Sequence, residues 1–128
     1  MKKLFSALSL LLLFSVLIIT LSACSEPKNP DAPIGKYIYE GEGFGGDFTL
    51  TIKADGTFNY YEGWLSSYIA TGEWTLDKNI LCLKDEGYPF TNYFEVKDDQ
   101  LVFIEEESSN FLYMDIKDGE NFNFVESE

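Results

Sequence analysis

From Ile34 onward, apolar and polar residues alternate with a period of two, the signature of strands with one buried face. Phe48, Leu50 and Ile52 alternate with Thr49, Thr51 and Lys53. Ala54-Asp55-Gly56 interrupts the run, and Asp-Gly between alternating segments is a strong hairpin signal. Phe58 and Tyr60 resume the pattern, and Tyr68, Ala70, Gly72, Trp74 and Leu76 carry it through a longer segment. Asp77-Lys78-Asn79, Asp98-Asp99, residues 107–110 and residues 118–120 separate the later segments. The pattern predicts strands at 36–40, 48–52, 57–61, 68–76, 80–84, 93–97, 101–105, 111–117 and 121–125. The gaps are too short for crossover helices, so neighbouring strands must pair antiparallel. The expected fold is all-β: one small antiparallel meander of about eight to nine short strands, closed into a barrel or half-barrel. Closure removes the exposed sheet edges that promote aggregation.

The first 23 residues follow a different pattern. Met1-Lys2-Lys3 is a basic start, residues 4–20 form an apolar run, and Leu21-Ser22-Ala23-Cys24 follows. A transmembrane anchor and an ordinary secretory signal share the first two features. The last four residues resemble the bacterial lipobox. That resemblance implies a lipoprotein signal peptide over 1–23 and cleavage between Ala23 and Cys24. It also implies a diacylglyceryl group on the Cys24 thiol, with palmitate-type chains. Two acyl chains anchor a protein stably where one does not. Residues 24–33 then form a lipidated cysteine and linker, and 34–128 the β domain. Three prolines among the polar residues 25–33 favour an extended spacer, reaching on the order of 28 Å at about 3.1 Å per residue. The expected location is the extracytoplasmic face of a bacterial cell membrane, or an outer membrane where the cell has one.

Composition narrows the chemistry. The chain has 22 acidic residues, 9 basic ones and no histidine, a net charge of −13. Every basic residue is lysine. Without histidine, a Ser-His-Asp or Cys-His centre and a histidine metal site cannot be built. Without arginine, no bidentate clamp for phosphate or carboxylate exists. So acidic a surface repels nucleic acid. No enzyme activity, metal or cofactor is expected. Cys82 lies in the apolar segment Ile80-Leu81-Cys82-Leu83 and reads as a buried small hydrophobe. Gly41-Glu42-Gly43-Phe44-Gly45-Gly46 lacks the Lys-Ser/Thr and the helix of a phosphate loop and reads as a connecting loop. The carboxylates of Glu105-Glu106-Glu107 and Asp98-Asp99 lack EF-hand spacing and read as a solvated cluster.

Four segments carry a second resemblance. They are Gly35-Lys36-Tyr37, residues 47–58 with their Asp-Gly-Thr turn, Gly72-Glu73-Trp74 and Ile80-Leu81-Cys82-Leu83. Together they resemble small lipocalin-like domains of bacterial lipoproteins, such as the N-terminal domain of copper-resistance and envelope-stress lipoproteins. Those domains carry a Cys-x-x-Cys pair between the first two strands. Here that place reads Glu42-Gly43-Phe44-Gly45-Gly46, so copper binding and thiol sensing do not carry over.

The aromatics are expected mostly in the core, Trp74 among them. One loop stands apart. Trp64-Leu65 is an apolar step inside Glu62-Gly63 and Ser66-Ser67. It either plugs one end of the barrel or forms a recognition lip, with Trp64, Leu65 and Tyr68 as candidate ligand contacts. The expected function is a membrane-anchored, non-catalytic binding module for a small ligand or an envelope protein. The alternative is a structural or inhibitory lipoprotein whose barrel is filled.

Overall fold

The computed structural model describes residues 31–42, 45–64 and 66–126. Residues 1–30, on which the expected signal peptide, Ala23, Cys24 and most of the expected linker fall, and Leu65 lie outside the described residues. Eight strands form a closed antiparallel barrel in which each strand pairs with its sequence neighbours and the last returns to the first. They are β1 (Gly35–Tyr39), β2 (Phe48–Ile52), β3 (Thr57–Glu62), β4 (Ile69–Asp77), β5 (Ile80–Asp85), β6 (Thr91–Lys97), β7 (Gln100–Ile104) and β8 (Asn121–Val125). Closure sets Lys36, Tyr37 and Ile38 of β1 against Val125, Phe124 and Asn123 of β8.

The strand predicted over 111–117 does not form. A barrel whose pairings are all antiparallel, as here, has an even number of strands, because only then does the last run antiparallel to the first. The segment has another role: it crosses one end of the barrel and lowers Phe111 into it. The Phe111 ring lies 4.9 Å from Phe48, 5.6 Å from Tyr60 and 5.2 Å from Phe103, centre to centre.

Side chains fill the interior. Phe48, Leu50, Phe94, Leu81, Leu101 and Phe122 are completely buried. Phe122 packs edge-on against both Phe48 (5.1 Å) and Phe94 (5.2 Å), a geometry favoured by the ring quadrupole. An eight-stranded barrel is just wide enough for its own side chains to occupy the inside. Trp74, expected in the core, packs against it but is only half-buried. It stands near the end of the barrel, and its indole N–H donates to the Lys53 carbonyl at 2.8 Å.

Antiparallel alternation gives the barrel two unlike ends. At one end, β2–β3, β4–β5 and β6–β7 are joined by short turns, and the chain enters and leaves there. Lys78 and Asp98 adopt positive φ (56° and 48°) in the two-residue turns, matching the strand twist. At the other end lie the described residues of the loops 40–47, 63–68, 86–90 and 105–120.

Gly72 of β4 faces inward where the wall is tightest. A Cβ there would stand 1.9 Å from the Lys84 carbonyl oxygen and 3.0 Å from the Phe58 ring. The glycine of Gly72-Glu73-Trp74 is thus a packing requirement. Gly72→Ala should lower stability by about 3 kcal/mol, the upper range for overpacking, as read from the urea-unfolding midpoint.

Candidate recognition surface at the loop end of the barrel

On three strands the inward face is apolar until it reaches the loop end, where it turns polar. On β3, Phe58 and Tyr60 are followed by Glu62; on β5, Leu81 and Leu83 are followed by Asp85; on β6, Asn92 precedes Phe94. All three polar residues are buried. A buried polar group costs free energy unless it is hydrogen-bonded, and each of these is bonded to a loop.

Glu62 holds the plugging segment. The backbone N–H groups of Leu112, Tyr113 and Met114 donate to its carboxylate at 3.2, 2.9 and 3.3 Å. The N–H groups that a ninth strand would have offered to a neighbour are oriented to this one side chain. Asp85 accepts the Gly87 and Tyr88 N–H groups (2.7 and 3.2 Å) and the Tyr68 hydroxyl (2.9 Å). Asn92 donates through Nδ2 to the Ser109 carbonyl at 2.8 Å. Three loops are thereby fastened from inside the barrel mouth by polar side chains.

The fastening leaves large apolar groups outside. Among the described residues, seven large apolar side chains are exposed, and five of them lie at the loop end. These are Trp64 (61% exposed), Ile69 (59%), Tyr113 (57%), Tyr88 (47%) and Leu112 (46%). Singly exposed apolar residues are ordinary, but a cluster on one rim is a mark of an interaction surface. The loops also touch one another. Trp64 N–H donates to the Gly45 carbonyl at 2.8 Å, and the Met114 methyl sits against Gly41 and Gly63. Gly46, at φ 74°, lies directly under the Trp64 indole: a Cβ there would come within 2.3 Å of Cδ1. The ring rests on backbone and stays exposed.

Trp64 therefore does not plug the barrel; Phe111 does. Tyr68, the second described candidate, is half-buried and spends its hydroxyl on Asp85, so it supports the rim more than it extends it. Leu65 lies outside the described residues. The sequence reading missed Glu62, Asp85 and Asn92. The signal was present: each is a polar residue on the inward phase of a period-two strand.

The remaining candidates separate. Glu105-Glu106-Glu107 belongs to the loop end and Asp98-Asp99 to a turn at the opposite end, so the two carboxylate groups cannot share an ion. Among the described residues, no three acidic or cysteine side chains are arranged to hold a metal. Cys82 is a free, half-buried thiol on the wall of β5. A depression of about 350 Å³ at the loop end is lined by Phe103, Glu105, Phe111, Met114, Ile116 and Lys117.

Comparison with protein-family models, with curated proteins and with solved structures finds no significant match.

Two measurements check this geometry. Glu62→Ala leaves three backbone donors without their acceptor. Hydrogen bonds to a charged group contribute about 1.5–3 kcal/mol each, and a donor left buried costs about 1–3 kcal/mol. Stability should fall by about 3 kcal/mol, and hydrogen exchange at Leu112, Tyr113 and Met114 should accelerate far more than at β5. The second measurement uses tyrosine ionisation. Burial, reinforced by the hydrogen bond to Asp85, pushes the Tyr68 hydroxyl up to about 12. Burial and a hydrogen bond to Glu120 push Tyr39 to about 12. Both exceed the ordinary 10.0, so the folded state holds these protons more tightly than the unfolded chain. Their contribution is complete below pH 10 and is lost as pH rises from 10 to 12. The urea midpoint should fall across that window, and Tyr68→Phe should remove part of the slope.

Proposed function

We propose that this protein is a lipid-anchored, extracytoplasmic, non-catalytic binding module that docks an envelope protein through the loop end of its barrel. One observation carries the reading: Trp64, Tyr88, Leu112 and Tyr113 stand exposed on loops fastened from within by buried Glu62 and Asp85. Rigid aromatic anchors at little entropic cost are what protein interfaces concentrate. A small ligand held inside the barrel is disfavoured, because Phe48, Phe94, Phe111 and Phe122 occupy that space.

The tether fits this orientation. Leu21-Ser22-Ala23-Cys24 reads as a lipobox, and Cys24 lies eleven residues before β1, on the chain that enters at the turn end. Anchored there, the barrel directs its loop end away from the membrane. The lipocalin-like resemblance agrees with a surface lipoprotein, and the missing Cys-x-x-Cys keeps copper and thiol chemistry out of the proposal. The filled interior also favours a second reading, a structural or inhibitory lipoprotein that acts through its outer wall.

A photo-crosslinking residue at position 64 of the full chain, in the native cells, separates the two. A single envelope protein should be trapped from position 64, and not from the exposed wall position Thr75. The reverse result would replace the loop end by the wall. Trp64→Ala should change stability by less than about 1 kcal/mol, as for other exposed sites. Cys24→Ser should release the protein from the membrane fraction; if it stays lipidated and normally cleaved, the anchor assignment is wrong.

A further inference from the structure

Charge is distributed unequally between the two ends. The four loops at 40–47, 63–68, 86–90 and 105–120 carry ten carboxylates against one lysine, Lys117, a net −9. The three turns at 53–56, 78–79 and 98–99 carry three carboxylates against two lysines, a net −1. Glu62 and Asp85 add two buried carboxylates at the loop end, satisfied by N–H groups and a phenol rather than by cations. Among the described residues, the ion pair at that end is Lys117–Asp115, at 2.8 Å and largely in solvent. The exposed aromatic rim is thus set in a field of one sign.

Charge complementarity then limits what can cover the rim. An anionic partner would place like charges within a Debye length, about 8 Å at physiological salt. An anionic membrane surface is excluded on the same ground. A purely apolar partner would leave the carboxylates beside a desolvated surface without counter-charge. A partner with apolar side chains for the rings and a cationic surround satisfies both features, and its ammonium or guanidinium groups can also lie over the faces of Trp64 and the tyrosines. We infer that the loop end binds a cationic amphipathic segment, a stretch of protein with lysine or arginine flanking apolar residues. This rests on the docking reading above and names the chemistry of its partner.

The test uses the full lipidated chain in phosphatidylcholine nanodiscs, with empty nanodiscs as the subtracted reference. The probes are a helical peptide of leucine and lysine only, the same peptide with every lysine replaced by glutamate, and oligolysine of equal length. The leucine–lysine peptide should bind above the reference, with affinity falling as salt rises. Trp64→Ala with Tyr113→Ala should weaken it at least tenfold. Oligolysine should bind at least tenfold more weakly, and the glutamate peptide should not bind. Asp98→Asn with Asp99→Asn, at the opposite end, should change nothing. In a Trp74→Phe background, the leucine–lysine peptide should shift Trp64 emission to the blue.

Equal binding by wild type and the rim variant would overturn the inference, as would equal binding of the two amphipathic peptides. Oligolysine binding as tightly as the amphipathic peptide, or an equal loss from the Asp98/Asp99 variant, would reduce the effect to bulk charge and overturn it too. A blue shift with chitotriose and none with the peptide would assign the rim to sugar instead. A crosslink from position 64 to an envelope protein without peptide binding would leave the docking reading standing and remove only the cationic partner.

Discussion

A sheet closed on itself has no edges to cover, but it has two open ends, and the interior of this one is lined with rings that water must not reach. The rest of the structure follows from how the loop end is stopped. Phe111 enters between Phe48, Tyr60 and Phe103, and the segment that carries it cannot pair as a strand. Its backbone donors still need acceptors, since a buried N–H without a partner costs about as much as a lost hydrogen bond. Glu62 supplies them, with two oxygens for three N–H groups. The carboxylate charge that would be costly alone is stabilised by donors that would be costly alone. Neither half of the arrangement is tenable without the other.

The same exchange is repeated at Asp85 and, with polarity reversed, at Asn92, where a side-chain amide donates to a loop carbonyl. The barrel mouth is therefore stiffened by contacts that lie beneath the loops. Trp64, Tyr88, Leu112 and Tyr113 on these loops stay exposed. Trp64 can rest on the Gly46 backbone, and Leu112 and Tyr113 can project outward, because what holds these loops is on the inside. A rim built this way combines exposed apolar area with limited freedom, a combination that supports recognition over simple stickiness.

Much of this was legible in the sequence, and the parts that were not share a physical cause. Period-two alternation located all eight strands, and Asp55-Gly56, Lys78-Asn79 and Asp98-Asp99 marked the turn end. The segment 111–117 was misread because Phe, Leu, Tyr, Met and Ile in close succession look like a strand locally. Whether they form one depends on the parity of a barrel that local pattern does not encode. Trp74 was placed too deep because its inward phase was legible and its height along the barrel axis was not. Glu62 and Asp85 could have been singled out, being acidic residues on the phase of Phe58, Tyr60, Leu81 and Leu83. Their partners could not, since Glu62 meets residues fifty positions away through backbone groups that carry no sequence signature.

The charge pattern completes the argument from closure to function. A chain of net −13 must distribute its repulsion somewhere, and strands that bury alternate residues leave only walls, turns and loops to carry it. The two-residue turns have little room, so the excess falls on the long loops, which the plug and its fastenings have gathered around exposed rings. On the proposed orientation, that places the strongest field at the end farthest from the anchoring leaflet, where repulsion from anionic lipid is weakest. In that proposal, the end that faces the membrane and the end that meets a partner are opposite consequences of one topology, in which an even number of strands returns the chain to the side where it began.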